Sequence, residues 1–250
     1  GEQGSRGGGL HPGFLVHRQS PFLWSAETPN LYSLILELKP IIIDDEDEEE
    51  EDEGGGGHVE GCRVGIREVA ILPGFPASLS GRALLLPVDN LNTDGIYGKD
   101  VTYRDDLSPE QMAGYAMANY DPEFQDIAEA GDIIVAGRNF GTGSSREQAA
   151  TALAHRGIRM VIAASFSQTY LRNAFNNAFV CLESPQLTAA VREAFSTEAG
   201  AGRRTIPGGE LEVDFRTASA TWRGRRYPLS PLGPAAQELV LAGGLEALTR

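Results

Sequence analysis

Between Gly137 and Ala150 the chain reads Gly-Arg-Asn-Phe-Gly-Thr-Gly-Ser-Ser-Arg-Glu-Gln-Ala-Ala, residue types suited to chemistry on an anion. Gly141 and Gly143 lack the Cβ atoms that would hold an anion away from backbone N–H groups. Ser144 and Ser145 add two hydroxyls, and Arg146 adds a planar, permanently charged fork that can grip a carboxylate or phosphate through two hydrogen bonds. A β-branched run at 132–136 precedes this stretch and alanine-rich helical spacing follows from Glu147 to His155, so it reads as strand, glycine loop and helix start. A helix start gathers unpaired N–H groups at its positive end. A plainer arrangement uses the same residues: Ser144 or Ser145 caps the helix, Glu147 or Gln148 reciprocates, and Arg146 is solvated. The run matches neither a Walker loop nor a dinucleotide fingerprint.

The elements that must position this stretch can be read in order. Residues 79–88 form a buried-looking strand, and Asp89-Asn90-Leu91-Asn92-Thr93-Asp94-Gly95 is a polar loop at its end. Ser108-Pro109-Glu110-Gln111 opens a helix predicted to reach Asn119, with Ser108 as N-cap, Pro109 in the first turn and Gln111 at the capping-box position. After the strand at 132–136 come the glycine loop, a helix ending at Gly157, a strand at 158–164, a helix or loop at 165–177, a strand at 178–183 and a short helix at 187–195. Residues 210–215 and 218–227 alternate like a hairpin, and 234–242 before Gly243-Gly244 is a closing helix with a glycine cap. An alternating α/β pattern with more strands than a doubly wound sheet uses implies a layered β/β/α domain of the α/β class.

Composition bounds the rest. In 250 residues with 41% apolar content, no apolar run approaches the length of a membrane span, so a soluble chain with no membrane partner is expected. The formal charge of −14 argues against nucleic acid, and ten of the acids lie in one run at 44–53. That run, with the glycines at 54–57, reads as a solvated linker across 44–57. Residues 1–20 read as a disordered tail whose start, without methionine or signal-peptide core, suits a fragment or processed chain. Residues 21–71 read as a β-strand segment interrupted by the linker, and 72–250 as the main domain. Cys62 and Cys181 stand far apart, which suggests a reducing compartment and supplies no metal site. His58 and His155 read as surface residues.

Two resemblances carry further expectations. Trp24-Ser25-Ala26-Glu27-Thr28-Pro29-Asn30-Leu31-Tyr32 followed by Val64-Gly65-Ile66-Arg67-Glu68-Val69 resembles the immunoglobulin-like β-domain of family 2 glycoside hydrolases such as β-galactosidase, with none of that family's catalytic barrel. From about Leu72 onward three ordered motifs resemble the swivel domain of the aconitase superfamily. They are the 89–97 stretch with Asn92-Thr93-Asp94, the Gly131-Asp132 and Gly137–Glu147 stretch, and Ser165-Phe166 with Arg172-Asn173. In length and spacing this part is similar to the small subunit or C-terminal domain of 3-isopropylmalate dehydratase and homoaconitase. Asn119-Tyr120-Asp121-Pro122-Glu123-Phe124 and Thr102-Tyr103-Arg104-Asp105-Asp106 favour homoaconitase.

The second resemblance implies a three-layer swivelling β/β/α fold and a hydro-lyase that dehydrates and rehydrates a hydroxy-polycarboxylate through a cis-enoate. It implies no cofactor in this chain and a 4Fe-4S cluster on an iron–sulfur large subunit or catalytic domains that complete the enzyme. By position Ser144 matches the general base, Arg146 and Ser145 the substrate-carboxylate ligands, and Asp94 with Thr93 an acidic position facing proton-transfer histidines of the catalytic domains. Arg172 is a further candidate for the substrate. In the loop after Asp94, which sets substrate choice, Lys99 or Arg104 could meet a distal carboxylate. That loop reads Gly98-Lys99-Asp100 where the family's order is proline, glycine, lysine, tyrosine, and Gln148 stands where histidine is frequent. The compartment implied is cytoplasmic in a bacterium or archaeon and the mitochondrial matrix in a fungus. A reading from another class is a non-catalytic binding module or inactive fusion, in which residues 1–71 are the working part or an idle appendage.

Overall fold

The computed structural model describes residues 70–104 and 106–250. Strand β1 (Ser78–Leu86) leads through short helices α1 (Thr93–Ile96), α2 (Lys99–Thr102), α3 (Pro109–Tyr115) and α4 (Phe124–Ile127) to β2 (Ile133–Ala136). Then follow α5 (Gln148–His155), β3 (Met160–Ala163), α6 (Gln168–Asn176), β4 (Val180–Glu183), α7 (Pro185–Ala194) and α8 (Ser196–Gly200). Strands β5 (Ile206–Asp214), β6 (Ser219–Trp222) and β7 (Arg225–Pro228) precede α9 (Pro234–Ala242) and α10 (Leu245–Leu248).

One seven-stranded sheet runs β4-β3-β2-β1-β5-β6-β7. Strands β1 to β4 are parallel, and β1, β5, β6 and β7 are antiparallel. The parallel strands are continuous apolar runs, Ile-Ile-Val-Ala in β2 and Met-Val-Ile-Ala in β3, because both of their faces are covered. Alternate residues go to opposite sides. Leu84, Leu86, Ile134, Val161 and Cys181 join Ala149, Leu153, Tyr170 and Ala174 in a core beneath α5 and α6. Leu85, Ile133, Val135 and Ile162 join Leu211, Val213, Ala220 and Trp222 in a second core, which α7 enters with Leu187 and Val191. The sheet therefore curls so that its antiparallel half lies over one face of its parallel half, with helices on the other. These are the three layers expected of the β/β/α swivel fold. Between Arg82 and Leu84 the β1–β5 register slips, an irregularity of the kind that bends a sheet.

Local expectations hold at several caps. Ser108 Oγ accepts the Gln111 N–H at 3.3 Å and Gln111 Oε1 accepts the Ser108 N–H at 2.8 Å, the reciprocal box in front of α3. At the end of α9, Gly243 takes φ 83°, its N–H donates to Val240 O (3.2 Å), and the Gly244 N–H donates to Leu239 O (2.8 Å), a Schellman closure. Within 165–177, residues Gln168–Asn176 form a helix, α6, while Phe166 before it makes an isolated bridge with Phe140.

Two local expectations are corrected. Helix α3 ends at Tyr115 rather than Asn119, because Met117 turns to φ 62° and its N–H donates to Ile96 O at 2.7 Å, so a bond to α1 replaces the next helical turn. The hairpin is a three-stranded meander, since a turn at Arg223-Gly224 splits 218–227 into β6 and β7. The predicted tail at 1–20, the acidic linker at 44–57 and the strand segment predicted at 21–71 as far as residue 69 lie outside the described residues, and Ala70 and Ile71 at its end are in no strand. Among the described residues no helix is long and apolar enough to cross a membrane.

Candidate active site

The loops that follow β1, β2 and β3 are stitched into one surface at the C-terminal ends of the parallel strands, where open α/β sheets place their ligands. Asp89 Oδ1 accepts the Arg138 N–H (2.8 Å), and the Asn90 N–H donates to Arg138 O (2.8 Å). The Gly141 N–H donates to Leu91 O (2.8 Å) and the Thr93 N–H to Thr142 O (2.9 Å). On the other side the Phe140 N–H donates to Ser165 O (3.0 Å) and the Ser167 N–H returns to Phe140 O (2.9 Å). Gly141 makes this packing possible: its φ is 74°, and a Cβ there would lie 2.2 Å from Cγ of the buried Tyr170. Tyr170 in turn meets Phe140 edge to face and stacks parallel to Phe166, the ring centroids 5.2 and 6.3 Å from its own. The sequence separation of about fifty residues between the polar loop and the glycine loop thus vanishes in space.

On this platform α5 starts at Gln148, with Glu147 as a cap that makes no side-chain bond. Neither serine caps it. Ser144 and Ser145 instead project into a cleft of about 360 Å³ lined by Thr102, Tyr103, Ser144, Ser145, Arg146 and Gln148. Ser144 is exposed, and the N–H groups of residues 143–147 have no acceptor among the described residues. The donors foreseen at this mouth are therefore in place.

Arg146 is buried rather than solvated, 7% exposed. One terminal nitrogen, Nη1, donates to Asp94 Oδ1 in an ion pair and to Tyr97 O at 3.2 Å. The other edge of the guanidinium, Nη2 and Nε, has no acceptor among the described residues, so it is a fork open to a carboxylate. Asp94 is half exposed and lies in the first turn of α1, where Asn92 Oδ1 caps the helix by accepting the Gly95 N–H (2.8 Å). Asn119 Nδ2 donates to Asp94 O at 3.0 Å and steadies that turn.

Asp94 and Lys99 line an adjoining cleft of about 640 Å³ with Asp100, Tyr103 and Asn119. Tyr103, 77% exposed, borders both clefts. The fold thus brings together Asp94, Lys99, Ser144, Ser145 and Arg146. Thr93 is buried, 2% exposed, and lines neither cleft; its N–H holds the glycine loop. Arg172 is exposed on α6, lines neither cleft and pairs with no acid among the described residues. Arg104 pairs with Asp106 at 3.1 Å, whereas Lys99 has no ion-pair partner among the described residues.

The residue that sequence reasoning underused is Asn173, next to Arg172. It is 4% exposed, and its Nδ2 donates to Ser145 Oγ at 3.3 Å. Its signal was a polar residue on an otherwise buried helical face, since Tyr170, Asn173 and Ala174 are the buried residues of α6.

Electrostatics act mainly on the scaffold. The Arg138 N–H, with the Arg192 guanidinium beside it, holds the Asp89 carboxyl below the usual carboxylate range despite some desolvation. Burial pushes the Cys181 thiol well above its ordinary value, and that of the Tyr170 hydroxyl as well. A thiol so held is a poor source of thiolate. Among the described residues no three His, Cys, Asp or Glu side chains gather to hold a metal. This donor set does not fit an iron–sulfur cluster, so a cluster acting on this site would be supplied from outside the described residues.

Comparisons with known proteins bear on the family of the chain. The family model described as the aconitase C-terminal domain matches residues 63–187. Homoaconitase, mitochondrial, from Aspergillus fumigatus is 44% identical over 189 residues, which cover 73% of this chain and 24% of that protein. The protein of the same name from Eremothecium gossypii is 46% identical over 187 residues, covering 71% and 27%. This chain thus spans about a quarter of the length of these relatives. Among solved structures, 3-isopropylmalate dehydratase from Methanocaldococcus jannaschii superposes with a TM-score of 0.57 at 28% identity, covering 69% of this chain and 93% of the other. The glycoside-hydrolase resemblance is not borne out: its second motif, Val64 to Val69, falls inside the matched 63–187 stretch. The chain belongs to the aconitase C-terminal domain family.

Proposed function

We propose that this chain is the swivel component of an aconitase-type hydro-lyase that interconverts a hydroxy-tricarboxylate and its cis-enoate, cis-homoaconitate, by loss and gain of water. The observation that carries the reading is Arg146, buried and anchored by Nη1 while Nη2 and Nε stay open beside Ser144 and Ser145. A carboxylate seated on that fork places the adjacent carbon, whose proton is acidified by the carboxylate, near Ser144. Ser144 would act as the base. Serine is intrinsically a weak acid, so its anion needs the guanidinium and the unpaired N–H groups of the loop. Ser145 would donate to the same carboxylate, and Asp94 keeps Arg146 in register. Lys99, across the shared Tyr103, suits a distal carboxylate, which homoaconitate carries and isopropylmalate lacks.

In the resemblance on which this reading draws, a 4Fe-4S cluster on the catalytic domains activates the leaving hydroxyl. The partner is therefore an iron–sulfur catalytic subunit or domain, and the swivel component is inactive alone. A second reading, 3-isopropylmalate dehydratase, is favoured by the near-complete coverage of the solved dehydratase chain. The test is hydration of cis-homoaconitate, isopropylmaleate and cis-aconitate by this chain with an iron–sulfur catalytic component and by each part alone. Hydration of cis-homoaconitate only in the mixture is expected. Preference for isopropylmaleate would move the assignment to the second reading, and hydration by this chain alone would overturn the proposal.

A further inference from the structure

We infer that Asn173 is a positioning residue that fixes the direction of the Ser145 hydroxyl, and so determines how tightly the site holds a substrate carboxylate. The inference rests on the reading that Ser145 binds that carboxylate. A serine oxygen offers one proton and two lone pairs. Asn173 Nδ2 donates to Ser145 Oγ at 3.3 Å, which occupies a lone pair from the side of α6. The Ser145 proton is thereby left to point away from Asn173, toward the cleft it lines with Ser144 and Arg146. An anion there meets a donor rather than a lone pair. Asn173 can hold this orientation because it is 4% exposed and sits on the inner face of α6 between Tyr170 and Ala174. Its own backbone carbonyl is tied by Asn177 Nδ2 at 2.9 Å. Asn173 lines neither cleft, so it acts through Ser145 and not on substrate.

The chemistry distinguishes an amide from its isosteric acid. An ionised aspartate accepts only, so Asn173→Asp would pull the Ser145 proton inward and add a negative charge behind the anion site. A buried carboxyl titrates above its ordinary value, and once protonated it can donate again. The test uses the enzyme assembled from this chain and its iron–sulfur catalytic component, with cis-homoaconitate as substrate. Asn173→Ala is expected to raise KM about tenfold with kcat within about threefold, as for the loss of one oriented hydrogen bond. In a Ser145→Ala background the same substitution should add nothing. Asn173→Asp, which preserves shape should the alanine variant fold poorly, is expected to raise KM about a hundredfold at pH 8 and to recover part of it toward pH 6. A wild-type KM in both variants, or an equal KM rise with and without Ser145, would overturn the inference. Ser144→Ala run alongside separates the two ideas. If that variant turns over normally, the assigned chemistry fails; if it is inactive while Asn173 proves silent, only the present inference fails.

Discussion

Arg146 is gripped along one edge and open along the other, and this asymmetry explains why arginine rather than lysine stands there. A guanidinium can satisfy Asp94 and the Tyr97 carbonyl through Nη1 while presenting Nη2 and Nε to a ligand. A lysine is a single point charge and must choose. Arg146→Lys should therefore raise KM for the substrate about a hundredfold in steady-state kinetics of the assembled enzyme while the chain stays folded. An unchanged KM would show that the open edge is not used. At this scale the sequence was informative about residue types: glycines, two serines and an arginine suited an anion, while the same residues also suited a simple helix cap. It was silent on direction. Thr93 and Arg172 belong to the same motifs as Asp94 and Asn173, yet one is buried and held to the glycine loop and the other is exposed and lines neither cleft. Which neighbour faces the site depends on helix phase, and for α6 that phase was open while the segment read equally as helix or loop.

The site exists because separate loops are zipped together at the strand ends, and the zipper has two weak points. Gly141 is the first. A Cβ at φ 74° and 2.2 Å from Tyr170 would force apart the glycine loop and α6, so Gly141→Ala should cost about 3 kcal/mol in urea denaturation. A loss under about 0.5 kcal/mol would mean that the aromatic cluster yields, within the range of ordinary surface changes. Asp89 is the second. Its folded pKa is depressed, chiefly by the Arg138 N–H and also by Arg192, so its carboxylate stabilises the fold above the unfolded value of about 3.9. That contribution is lost as pH falls through the lower folded value. The stability margin of the wild type over Asp89→Asn should be largest near neutrality and shrink as pH drops through about 4 toward 3. A margin that does not vary with pH would remove the charge from the explanation. Caps and strands were legible here because they are local: the Ser108 box, the Gly243 closure and the apolar runs of β2 and β3. The early end of α3 was not, since the Met117 N–H is claimed by Ile96 in another element.

At the scale of the molecule, a curled sheet places helices on one face of its parallel strands and its own antiparallel half on the other, and leaves the strand ends as a docking face for chemistry. Layering could be read from the sequence because both-sided burial makes β2 and β3 uniformly apolar while β5 alternates. The meander was harder, because nothing in 218–227 except Arg223-Gly224 interrupts the alternation. The proposed role divides labour: this chain supplies carboxylate recognition and a base, and a catalytic component supplies activation of the hydroxyl. The most direct measurement of that division is the rate of cis-homoaconitate hydration by the assembled enzyme carrying Ser144→Ala. The account predicts a kcat lower by about a thousandfold or more with KM within about threefold of wild type, the signature of a lost proton-transfer group, base in dehydration and proton donor in hydration, over an intact carboxylate site. A variant that hydrates the acid at the wild-type rate would contradict it.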